Sequence, residues 1–163
     1  MLPVEIVKET KAYKNTVNKI SQYSYYENNG AAPEILKIVN MESKAFGALI
    51  EKVLIEHYEL DKRVNTQHDA RIGEKKLEIK AARYWAGKDE CKWQHIEQGH
   101  DYDFILFALV DFNSIKCWIA KKEVVCQHMT PQGLQGNWVD KSTILQYLTE
   151  VTSKEELFEF VKL

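Results

Sequence analysis

The rhythm of apolar and polar positions changes along this chain, and each rhythm predicts a different element. From Glu42 to Tyr58, the residues Phe46, Leu49, Ile50, Val53, Leu54 and His57 recur at three- and four-residue spacing, as one face of a helix requires. Leu77, Ile79 and Ala81 then alternate with Glu78 and Lys80, the two-residue period of a strand with apolar and charged groups on opposite faces. Phe104 to Val110 is apolar without interruption, and Ile115 to Ala120 follows after Asp111-Phe112-Asn113-Ser114; both read as buried central strands. Residues 3–22 predict an N-terminal helix, Tyr23 to Pro33 a loop through Asn-Asn-Gly, and Glu34 to Val39 a short helix. Two terminal helices are expected over Lys141 to Thr149 and Ser153 to Lys162, the second with Ser153 and Glu156 as a capping box. This order predicts one α/β domain over residues 1–163, a mixed sheet of four or five strands flanked by helices.

Candidate chemistry sits on the hairpin. Gly73 and Glu74 lie at the natural turn between two strands. A two-residue loop sets Ile72 opposite Lys75 and Asp69 opposite Glu78, and a three-residue loop shifts this by one position. Like charges on neighbouring strands are destabilising unless something compensates them. A divalent cation does so, and hard carboxylate oxygens suit Mg²⁺. Such an ion polarises a phosphate and acidifies water, while an ammonium at Lys80 stabilises developing negative charge or orients the nucleophile. The competing reading is a solvated hairpin with an ordinary Glu78 and Lys80 charge pair. Glu51, flanked by Gly47, Leu54 and Ile55 on its helix, is a further metal or water ligand, or else an exposed glutamate.

Asp69 and Glu78-Ile79-Lys80 do not stand alone. With the helix Phe46 to Leu54 before them, and Ala81 to Trp85, Trp93-Gln94-His95-Ile96 and the Phe104 strand after them, they resemble the PD-(D/E)XK nuclease superfamily, in particular its small type II restriction endonucleases. The resemblance covers about residues 41–125, and His68 stands where the family name has proline. It implies a restriction-endonuclease-like fold with a catalytic core over 41–125, N-terminal helices over 1–40, and a recognition loop and C-terminal helices over 126–163. It also implies Mg²⁺, with Mn²⁺ as a substitute, held by Asp69, Glu78, the Ile79 backbone carbonyl and Glu51, with Lys80 as the catalytic ammonium. Gln94, on a following helix, would lie beside that centre.

Composition adjusts this picture without redirecting it. The net charge of −2 is unevenly spread: from Lys62 to Lys92 nine Lys or Arg stand against five Asp or Glu, two of which are the proposed ligands. From Asp140 onward, three basic residues face five acidic ones. Arg83, Tyr84, Lys88 and Lys92 are candidate phosphate contacts. The polar stretch from Gln127 to Trp138 offers Gln127, His128, Thr130, Gln132, Gln135 and Asn137 for base edges, or is an ordinary polar loop. Cys91, Cys117 and Cys126 form neither a disulfide framework nor a zinc motif. Without a membrane-length apolar run or a leader-like start, a soluble cytoplasmic protein is expected. The expectation is a Mg²⁺-dependent endonuclease that cuts a short site in double-stranded DNA as a homodimer. A structure-specific repair or recombination nuclease and a catalytically silent DNA-binding module are the alternatives.

Overall fold

The computed structural model describes residues 1–85, 87–131 and 136–162, leaving aside the side chains of 18–22. Helices α1 (Val4–Val7), α2 (Lys11–Asn28), α3 (Pro33–Val39) and α4 (Ser43–His57) come first. Strands β1 (Asp61–Lys62), β2 (Ala70–Ile72), β3 (Lys75–Arg83), β4 (Lys92–Ile96), β5 (Phe104–Val110) and β6 (Ile115–Lys121) follow. The chain closes with α5 (Lys122–His128), β7 (Thr130–Pro131), β8 (Asn137–Asp140), α6 (Lys141–Ile144), β9 (Thr149–Val151) and α7 (Lys154–Lys162).

The architecture is mixed α/β, but the sheet is larger than the four or five strands expected. Six strands run in the order β1-β2-β3-β5-β6-β9, and a separate three-stranded sheet has the order β4-β8-β7. The additions are the short edges β1 and β9, too brief to leave a periodic signature. β3 pairs antiparallel with β2 and parallel with β5, and every residue of β5 is buried. An uninterrupted apolar run is what a strand covered on both faces needs.

Both faces of β3 are covered too, which the alternation alone did not reveal. α4 packs on one side, with Phe46, Ile50 and Leu54 buried as its helical spacing predicts. The small sheet covers the other, anchored by Trp93, whose indole N–H donates to the Ala108 carbonyl at 2.9 Å and whose ring meets Phe107 and Trp118. The stretch expected to be a recognition loop supplies that cover instead. Gln127 and His128 end α5, Thr130 lies in β7 and Asn137 in β8, while Gln132 and Gln135 lie outside the described residues.

Three boundaries also differ. The first expected helix is broken at Thr10, whose hydroxyl caps α2 by accepting from the Tyr13 N–H. α2 then continues through the expected loop at Tyr23, because Tyr26 is fully buried, donating to the Val110 carbonyl and accepting from the Tyr84 N–H. It stops at Asn29 and Gly30, where φ reaches +71°. The expected helix over Lys141 to Thr149 lasts only to Ile144 before a 3₁₀ turn, and Thr149 to Val151 instead pair with the open edge of β6. The Ser153 cap is observed, its hydroxyl oxygen accepting from the Glu156 N–H at 3.1 Å.

Arg83 shows how the helical layer is tied to the sheet. Its guanidinium donates to the Val39 and Met41 carbonyls and the Ser43 hydroxyl, and lies 4.7 Å from the Phe46 ring centre. It secures the α3–α4 connection, which replaces the expected phosphate contact. Tyr84 is likewise buried, donating to Asp111, and is a core residue rather than a DNA contact. Arg83→Ala should therefore destabilise the fold by about 2 to 3 kcal/mol in urea denaturation. Unaltered stability in Arg83→Ala would contradict this fastening role.

Candidate active site

The hairpin closes as the two-residue loop predicts. Ile72 pairs with Lys75, Arg71 with Lys76 and Ala70 with Leu77, and Gly73 takes φ +60° in the turn. One step further the Asp69 N–H donates to the Leu77 carbonyl at 2.9 Å, and there β2 ends. The Asp69 carboxylate then takes over the ladder, accepting the Ile79 N–H at 2.7 Å. Within a strand one residue's N–H and C=O point to the same side, so the Ile79 carbonyl faces the edge that Asp69 occupies. A carboxylate and a main-chain carbonyl thus border one gap in the sheet.

Glu78 enters this gap from beside them. It is 8% exposed and its carboxyl lies beside the half-buried Asp69 carboxylate, a neighbour against which Glu78 favours keeping its proton. Burial first, then the hydrogen bond and the charge of Asp69, push Glu78 up to about 9; Lys80 opposes the rise and Glu51 adds to it. Glu51 projects from α4, half-buried, and its carboxyl is also raised, chiefly by burial and then by Asp69, against the pull of Arg63, Lys80 and Lys52. Lys80, the next outward residue on β3, donates from Nζ to the His95 carbonyl at 2.8 Å. The four residues Glu51, Asp69, Glu78 and Lys80, drawn from α4, the hairpin and β3, therefore meet in one place.

This donor set suits Mg²⁺. Oxygen from two carboxylates and one carbonyl leaves positions for water and phosphate, the usual habit of that ion. A buried carboxyl held against a second one is also what a cation would relieve. Among the described residues no three His, Cys, Asp or Glu side chains already stand as a ligand cluster, so Glu51 borders the pair without converging on it.

The proposed DNA contacts are placed less uniformly. Lys88 is exposed in the turn before β4, and Gln127, His128 and Thr130 are exposed, with the His128 ring stacked 3.7 Å from that of Tyr147. Gln94 is exposed but lies on a strand, β4, not on a helix as expected. Lys92 is committed to Trp138, 4.8 Å from its ring centre, and to Trp85. Asn137 donates to the Ile96 carbonyl at 2.9 Å and pins β8 to β4, so it holds the small sheet rather than reading bases. All three cysteines are free, as their spacing suggested. The residue the sequence concealed is His95: its role belongs to its backbone, and no residue-type pattern reports a main-chain carbonyl.

In comparisons with known proteins, no family model matches the chain and no curated protein matches it.

The Glu78 carboxyl predicts a pH profile. A fold that raises a carboxyl holds its full contribution below the ordinary carboxylate range and loses it as pH climbs to about 9. Cation-free protein should thus lose stability from about pH 5 upward, and Glu78→Gln should flatten the profile, raising the melting temperature at about pH 8 by about 2 to 4 °C per kcal/mol relieved. Magnesium should restore the wild type and leave the variant unmoved. Parallel melting profiles for the two proteins in chelator would contradict the proton held on Glu78.

Proposed function

We propose that this chain is a Mg²⁺-dependent endodeoxyribonuclease of restriction-endonuclease-like fold that hydrolyses phosphodiester bonds at a short site in double-stranded DNA. What carries the proposal is the Glu78 carboxyl, buried beside the half-buried Asp69 carboxylate, with the Lys80 ammonium held next to them. An ordinary solvated hairpin has no cause to bury a carboxyl against a second one.

When bound, Mg²⁺ or its substitute Mn²⁺ supplies positive charge that polarises the phosphate and acidifies water. Asp69, Glu78 and the Ile79 carbonyl would hold it, and Glu78 would give up its proton to do so. Lys80 donates one N–H to His95 and keeps others for the attacking water or the charge that gathers on the phosphate. Glu51, raised above the ordinary carboxylate range, accepts a proton from that water. Lys88 meets phosphates, while Gln94, Gln127, His128 and Thr130, all exposed, are available to base edges.

One chain carries one such centre and a duplex has two strands, so a homodimer on a palindromic site completes the reaction. Exposed Leu2, Val4, Ile6, Tyr13 and Val17 offer that dimer an apolar surface. Among the described residues no helix is long and apolar enough to cross a membrane.

Incubating the purified protein with a plasmid of known sequence and Mg²⁺ tests this directly, and discrete fragments are expected. Nicking or branch-specific cutting would move the reading to a repair nuclease, and binding without cutting to a silent module. Lys80→Ala should slow single-turnover cleavage about a hundred- to a thousandfold while stability and binding in calcium change little. A variant that melts early yet cuts normally when folded would make Lys80 structural.

A further inference from the structure

Among the described residues, His95 and Glu59 are the non-glycine positions whose backbone enters the left-handed region, and His95 has φ +60°. A residue with a Cβ is strained there and stays only where its surroundings impose it. Two features do so. Trp93 pairs with Val139 but Ile96 pairs with Asn137, so Gln94 and His95 together stand opposite Trp138, a one-residue bulge. Gly136, itself at φ +74°, passes so close that a Cβ there would lie 3.3 Å from the His95 Cα. The His95 side chain is exposed; what the strained turn accomplishes is to swing the carbonyl out to Lys80 Nζ, 2.8 Å away.

We propose that His95 is a positioning residue, whose main-chain carbonyl anchors the Lys80 ammonium and aims its remaining donors at the reacting phosphate. The inference deepens the nuclease reading and rests on it for its purpose. A lysine has a flexible four-carbon stem, and next to Glu78 and Asp69 it would otherwise fold onto a carboxylate. A neutral carbonyl fixes its direction without cancelling its charge, and occupies one of its three donors. Gly136 belongs to the same device, because a Cβ there would crowd the His95 Cα at 3.3 Å and shift the backbone that carries the carbonyl.

The test compares His95→Val, whose branched Cβ rejects the left-handed region, with His95→Gly, which accepts it. Gly136→Ala adds a milder push on the same backbone, and Gly30→Ala, at φ +71° with nothing within reach of its Cβ, is the control for left-handed strain alone. Two quantities are read: single-turnover cleavage in magnesium, and the rate at which an amine-reactive ester acylates Lys80, followed by peptide mass spectrometry. His95→Val and Gly136→Ala should cleave about ten- to a hundredfold more slowly, with DNA affinity in calcium retained. Their Lys80 should be acylated faster, and His95→Gly should recover both the cleavage rate and the protection that His95→Val loses. If His95→Val fails to fold, Gly136→Ala against Gly30→Ala carries the comparison. Should the wild type cut no DNA, the nuclease reading falls alone and the acylation series still decides the anchor. Equal Lys80 acylation in His95→Val, Gly136→Ala and wild type would overturn it.

Discussion

One hydrogen bond organises the candidate site: the Ile79 N–H given to the Asp69 carboxylate at the point where β2 leaves β3. A central strand that loses its neighbour must satisfy its edge in some other way. Here a side chain does it, and that choice brings a carboxylate to a sheet edge already lined by the Ile79 carbonyl. Because Glu78 is the residue before Ile79, the same bond fixes the separation of the two carboxyls. α4 and the small sheet then close over both faces of β3, so the pair sits where a charge is costly and a retained proton or a cation is favoured.

The layers divide the work between them. The helical side supplies Glu51 and is fastened by Arg83, whose three carbonyl and hydroxyl acceptors lie in the α3–α4 connection. The small sheet supplies the Lys80 anchor and is fastened by Trp93 to Ala108 of β5. Each functional group thus hangs from an element held to the sheet by a buried polar contact of its own. Such support from packed elements holds side chains to the tolerances that catalysis requires.

Much of this was legible in the sequence, for physical reasons that also mark where legibility ended. The loop Gly73-Glu74 determines register by counting, so the meeting of Asp69 with Glu78 followed from two residues. The α4 stripe and the apolar run at Phe104 were strong signals because they extend over several turns or a whole strand. Arg83 and Tyr84 misled because a basic or aromatic residue near a catalytic strand looks the same whether it meets phosphate or caps a carbonyl. The stretch after Gln127 misled because β7 and β8 are too short to show a period, and polar residues such as Asn137 are spent on holding strands together. The His95 carbonyl was invisible, since every residue has one and only the bulge turns it outward.

Glu78, set against Asp69, holds a proton that a divalent cation bound there would displace. Calorimetric titration of the protein with Mg²⁺ at about pH 8, repeated in buffers of different ionisation enthalpy, counts the protons released on binding. About one proton per chain should be released, and none in Glu78→Gln. Binding without proton release, or release that survives in Glu78→Gln, would contradict it.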